Sequence, residues 1–233
     1  MKSVDVLGVK ATPDKVEGLV HDQLESGSTW RSRDDMDNAA GLGRAIDALT
    51  GSPLQPDFIT AALKYVSDPN PIVRMGALLT MRSYGRQIDA APKLLTAWHD
   101  RPELYRAVGV PLPEGDLESL LLSAMAAAAQ SSNITVLAAL HQLVRDPSKR
   151  DLVFAGLARA DPEWMADHVS DWMDGNANRL AAILHNLSNE AKVEQVVHAM
   201  AQAPPEVRAS AAEVIRRFVP DRDRAAHLIS LLG

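Results

Sequence analysis

The segment PEWMADHVSDWMDG, residues 162–175, is the densest set of side chains able to do chemistry. Read as one helix, it places Trp164, His168 and Trp172 at i, i+4 and i+8 on a single face. Asp167, Asp171 and Asp174 line an adjacent face, and Met165, Val169 and Met173 form an apolar stripe. The rings and carboxylates together could hold a cationic or planar ligand, with Trp164, His168, Trp172 and Asp171 as contacts. The plainer reading, which we prefer, is a helix with a core stripe and a solvated acidic face. The three aspartates lack the loop that a calcium site needs, so no metal is expected.

Other catalytic constellations find no support. The seven histidines form no HExxH or similar metal spacing, and the chain has no cysteine, which excludes thiolate chemistry and disulfides. There is no GxSxG elbow. GLGRA, residues 41–45, departs from a dinucleotide-binding loop at Ile46. No catalytic residue and no cofactor are assigned.

Cations cluster in several places. Arg82 and Arg86 stand one turn apart, and Arg145, Lys149 and Arg150 surround a turn. Arg216, Arg217, Arg222 and Arg224 crowd the last stretch, with Asp221 and Asp223 between them. Arg82, Arg86, Arg216 and Arg217 are therefore candidate binding residues, although cations near helix C-termini also simply complement the helix dipole. With 24 basic against 30 acidic residues, the net charge of −6 gives no general attraction to nucleic acid or anionic membrane.

These residues need elements to hold them. Ala and Leu dominate, with 35 and 28 residues, whereas Trp, Tyr and Phe together are few. That balance favours helices over strands. Breakers recur at short intervals: GSPLQP (51–56), DPNP (68–71), DRP (100–102), VPLPEG (110–115), DP (146–147), DP (161–162), DGN (174–176) and APP (203–205). Between them lie amphipathic segments such as Leu180, Ile183, Leu184 and Leu187, or Val193, Val196, Val197 and Met200. The expectation is an all-α chain of about a dozen helices in antiparallel pairs. Residues 1–12, with the alternating SVDVLGV, read as a lone extended arm, and residues 13–233 as one helical domain. LESLLLSAMAAAA (117–129) is the longest apolar run and reads as a buried helix, too short to span a bilayer. The opening residues carry no leader pattern, so a cytoplasmic protein is expected.

The segment VRMGALLTMRSY (73–84) aligns with VRASAAEVIRRF (207–218), 134 residues on, about four periods of roughly 33. DRPELYRAVG (100–109) is a weaker third copy, with Asp100 six residues before Arg106 as Asp68 is before Arg74. Asp68, Pro71, Val73, Arg74 and Ala77, with Pro205, Val207, Arg208 and Ala211, resemble the HEAT-repeat family. SSNITVLAALHQLV (131–144) and NANRLAAILHNL (176–187) have the small-residue helix but are read as lacking the arginine. The resemblance implies a right-handed α-α superhelix, a HEAT-like solenoid. In it Asp68, Arg74, Asp100, Arg106 and Arg208 would form a ladder between repeats. Physically, an arginine at a buried seam needs a carboxylate or carbonyl partner for its fork, and Gly76 and Ala77 permit close helix approach.

The functional expectation is a non-enzymatic scaffold binding a protein or peptide on its curved surface. The alternative is a DNA-binding protein resembling the HEAT-like alkylation-repair glycosylases, which the net charge disfavours; likeness to the HEAT-like chromophore lyases is of fold only. The loop VGVPLPEGD (108–116) interrupts the repeat and is a further candidate for binding.

Overall fold

The computed structural model describes residues 4–6, 9–26, 42–43, 46–106 and 116–233. Among the described residues the chain is all-α apart from one short ribbon. Strands β1 (Val4–Val6) and β2 (Val9–Ala11) pair antiparallel, Val4 opposite Ala11 and Val6 opposite Val9. The expected lone strand thus has a partner: the alternation of apolar and polar residues continues past Gly8 into Val9, Lys10 and Ala11. The helices follow as α1 (Val16–Ser26), α2 (Gln55–Leu63), α3 (Pro71–Tyr84), α4 (Ala91–Asp100), α5 (Pro102–Tyr105), α6 (Leu117–Ala128) and α7 (Ile134–Leu143). Then come α8 (Arg150–Ala160), α9 (Pro162–Asp167), α10 (Val169–Trp172), α11 (Asn178–Asn186), α12 (Glu190–Met200), α13 (Pro205–Phe218) and α14 (Arg222–Ser230).

The chain divides into two compact units, residues 1–136 and 137–233. In the first, α3 packs on α1, α2 and α6, and α4 packs on α6. Gly76 permits this approach, because a Cβ there would come 2.7 Å from Leu24 Cδ2 on α1. In the second unit, α8, α11 and α13 pack successively against one another. A second layer runs α9, α12, α14. The two amphipathic stripes read from the sequence face inward: Leu180, Ile183, Leu187, Val193, Val196, Val197 and Met200 are buried, and Leu184 is half-buried.

Turn chemistry starts the helices where the breakers stand. Asn70 caps α3, accepting the Ile72 N–H at 3.0 Å, and Pro71 fills the first helical position. Asp116, Asp161, Asn189 and Asp221 cap α6, α9, α12 and α14. Of the VGVPLPEGD loop, all but Asp116 lies outside the described residues. Among the described residues, no helix is long and apolar enough to cross a membrane.

Candidate functional site

The region around Trp164 does bring aromatic and acidic groups together, but with a different membership. The helix breaks at His168, whose backbone leaves the helical region (φ −120°, ψ 38°), so α9 and α10 are separate. Trp164 and His168 remain stacked, with ring centroids 4.2 Å apart and planes 13° from parallel. His141, near the end of α7, stacks on Trp164 at 3.8 Å and 11°. Two imidazoles that close to one indole centroid would collide on the same face, so Trp164 lies between them. Trp172 is turned away into the core at 1 % exposure, where its indole N–H donates to the Met165 carbonyl at 2.8 Å. The sequence expectation of three rings on one face fails because Trp172 follows the break.

Hydrogen bonds set the tautomers. His168 Nδ1 lies 2.9 Å from the Trp164 carbonyl, which can only accept, so Nδ1 carries the proton. His141 Nε2 lies 3.1 Å from Asp161 Oδ2 and donates to it. The other oxygen of Asp161 caps α9, accepting the Trp164 N–H at 3.3 Å. Burial lowers the His141 pKa below its ordinary 6.5; Asp161 works against that, and His168 and Arg145 add to it. Arg145 completes the cluster, its guanidinium 5.6 Å from the Trp164 ring and its Nε donating to Asp171 at 2.8 Å. The arrangement holds a carboxylate-oriented, half-buried imidazole against an indole, and it fixes α7 to α9. Both ring faces of Trp164 are covered by the protein's own imidazoles, which removes the flat platform that a planar ligand would need.

The acids of the segment serve different cations. Asp167 pairs with Lys192 at 2.8 Å, and Asp171 with Arg145. Asp174 receives both Arg150, at 2.8 Å, and Arg179. The two guanidiniums hold the Asp174 pKa at about 2, Arg179 contributing most. Among the described residues no group of three His, Cys, Asp or Glu could hold a metal ion.

Of the residues expected in an arginine ladder, Arg74 and Arg208 bond main-chain carbonyls. Arg74 is 2 % exposed and donates to the main-chain carbonyls of Asp68, of Pro69 (3.0 Å) and of Leu104 in α5 (2.8 Å). The Asp68 carboxylate instead accepts the Asn70 N–H at 2.8 Å, shaping the turn. The expected Asp68–Arg74 ion pair is therefore a carbonyl brace, because the carboxylate is engaged by the helix-start turn. Asp100 and Arg106 form no copy of it: Asp100 is exposed at the end of α4, and Arg106 faces Glu118 of α6 at 3.9 Å. Arg208 does act as a brace, donating to the Leu232 and Gly233 carbonyls, both at 3.1 Å.

Two further members escape the sequence motif. Arg150, 6 % exposed, donates to the Val144 carbonyl at 2.8 Å and the Arg145 carbonyl at 3.3 Å, six and five residues back. It also reaches forward to the Asp171 carbonyl at 3.1 Å. That is the pattern of Arg74, which also reaches six and five residues back and then forward to a later segment. Arg179, 7 % exposed, donates to the Trp172 carbonyl at 2.9 Å, to Asp174 and to Asp151 at 2.6 Å. It lies within NANRLAAILHNL, so that stretch does have its arginine. Arg150, Arg179 and Arg208 stand in the first turn or so of α8, α11 and α13, the three helices of one layer. The usable signal was an arginine a few residues after Asp-Pro (146–147) or Asp-Gly (174–175), without the preceding valine.

The candidate cations for binding are distributed. Arg82 is exposed near the end of α3, and Arg86 follows in a short 3-10 turn, Gly85–Ile88. In the second unit Arg216 pairs with Glu213, while Arg217 lies 5.5 Å from the Phe218 ring. Comparison with protein-family models, with curated proteins and with solved structures finds no match.

Proposed function

We propose that this chain is a HEAT-like, non-enzymatic cytoplasmic scaffold that binds a protein or peptide partner on its helical surface. One observation carries the reading: an arginine, buried in α3, α8 and α11 and half-buried in α13, recurs near the start of these helices and braces each to neighbouring turns. Such a recurring brace belongs to repeated helix pairs, each burying its face against the next. The same observation weighs against a nucleic-acid role. Arg150 and Arg179 are turned inward, and Arg145, Lys192 and Arg224 are engaged by Asp171, by Asp167 with Glu163, and by Glu190. The titratable groups at Trp164 are likewise tied to structural partners, which speaks for bracing over catalysis.

The test is fluorescence anisotropy with a labelled DNA duplex at about 50 mM salt, where a groove meeting six or more phosphates binds strongly and loses about a thousandfold on moving to moderate salt. The scaffold reading expects no micromolar binding. Micromolar or tighter binding that weakens in the Arg82→Glu, Arg216→Glu double variant overturns it.

A further inference from the structure

Helix α14 has two differently employed faces. One is docked: Arg224 Nε donates to Glu190 at 2.9 Å, and His227 Nε2 meets Glu194 at 2.9 Å, both on α12. Another carries Arg222, Ala225 and Ile229, at i, i+3 and i+7, and together with Arg216, Val219 and Pro220 it lines an open groove of about 400 Å³. Pro220 creates the gap, since it interrupts the chain between α13 and α14. The floor is apolar: Val219 and Ala225 are buried, and Ile229 is half-buried. The rim carries two cations, Arg216 and Arg222, both exposed, and none of the lining residues is acidic.

Three acids stand near these cations, and Asp223 is exposed beside Arg222 on the first turn of α14. Asp221 is held as the cap of α14, accepting the Arg224 N–H at 2.8 Å. Glu213 pairs with Arg216, but the two side chains are 75 % and 55 % exposed. An exposed pair of this kind contributes little, so Arg216 can exchange Glu213 for a ligand carboxylate.

We propose that this groove docks an acidic peptide segment in which carboxylates flank one bulky aliphatic side chain. The proposal deepens the scaffold reading and rests on it. The aliphatic group enters over Val219, Ala225 and Ile229, and the flanking carboxylates meet Arg216 and Arg222. The volume lies near the low end of ligand-pocket sizes, so the groove takes a few side chains and not a whole helix. A phosphodiester chain fits poorly: two cations replace few counterions, and the apolar floor has no counterpart on a phosphate backbone.

The experiment uses the full chain and a short fluorescein-labelled peptide with one Leu between pairs of Glu. Two controls replace Glu by Lys, or Leu by Gly. The Glu–Leu peptide is expected to bind about tenfold more tightly than either control, the scale of one or two rim charges or one buried side chain. Arg216→Glu with Arg222→Glu should weaken it at least about tenfold. Ala226→Glu, at an exposed position lining the same groove, should weaken it similarly with unchanged melting. Equal binding of the three peptides, absence of binding, or indifference to Ala226→Glu overturns the proposal. Displacement of the peptide by a DNA duplex also overturns it and assigns the groove to nucleic acid. Failure of the peptide with no duplex binding removes the groove alone, whereas micromolar duplex binding removes the scaffold reading itself.

Discussion

Arg74 in the first unit and Arg150 in the second make the same reach, six and five residues back and then forward to another segment, but they end on different acceptors. Arg74 meets main-chain carbonyls throughout, with Asp68 occupied by the turn. Arg150 adds a carboxylate, Asp174, which it shares with Arg179. A carbonyl brace cannot titrate; the shared carboxylate can. The first seam should therefore be indifferent to pH and the second sensitive to acid, although both hold their helices by the same fork of N–H donors.

The largest expected effect is at Arg179. Arg179→Ala removes bonds to Trp172, Asp174 and Asp151 and the contact with the Phe154 ring, leaving Asp174 with Arg150 as its one guanidinium partner among the described residues. A loss of about 3 kcal/mol is expected in urea unfolding followed by circular dichroism. Arg74→Ala strands three carbonyls but no buried charge, and should cost about 2 kcal/mol in the same measurement. Equal losses at the two sites would dissolve the contrast. Gly76→Ala in α3 should cost about 1 kcal/mol, because the added methyl meets the movable end of Leu24.

The acid limb sharpens the comparison. The Asp174 pKa in the folded chain is about 2, below its ordinary 3.8, so its contribution is fully present above pH 3.8 and is lost as pH falls through 2. Asp174→Asn should flatten stability across that window, whereas Arg74→Ala should leave its slope unchanged; the reverse would exchange the roles of the two seams. The smallest effect is at His141. Burial lowers its pKa, so folding favours the neutral ring, and its contribution is present above pH 6.5 and declines as pH falls below that. Tryptophan fluorescence titrated downward from pH 7 should change in the wild type and much less in His141→Phe. An unchanged titration in that variant would show that the Trp164 stack does not report on His141.

Much of this was legible in the sequence. The stripes of α11 and α12 follow the helical period, and the breakers Asn70-Pro71 and Asp161-Pro162 mark helix starts through caps that act within three residues. Arg74 and Arg208 were visible because each follows a valine after a proline turn. Arg150 and Arg179 were not, since Lys149 and Asn178 precede them; the likeness of Arg150 to Arg74 lies in which carbonyls it reaches, and Arg179 is held by one carbonyl and two carboxylates. The break at His168 has no proline or glycine to announce it; it is held by the burial of Trp172 and its bond to Met165. The His141–Trp164 stack joins residues 23 apart through packing of α7 and α9, which no local pattern encodes.

The scaffold reading stands on these helix-start arginines being braces, held by the shape of the fork and not by positive charge alone. Replacing Arg74, Arg150, Arg179 and Arg208 singly by Lys keeps every charge and removes the fork. Thermal melting of these four variants beside their Ala counterparts tests the claim most directly. The account predicts that each Lys variant loses most of the stability that its Ala counterpart loses. Lys variants that melt with the wild type would contradict it.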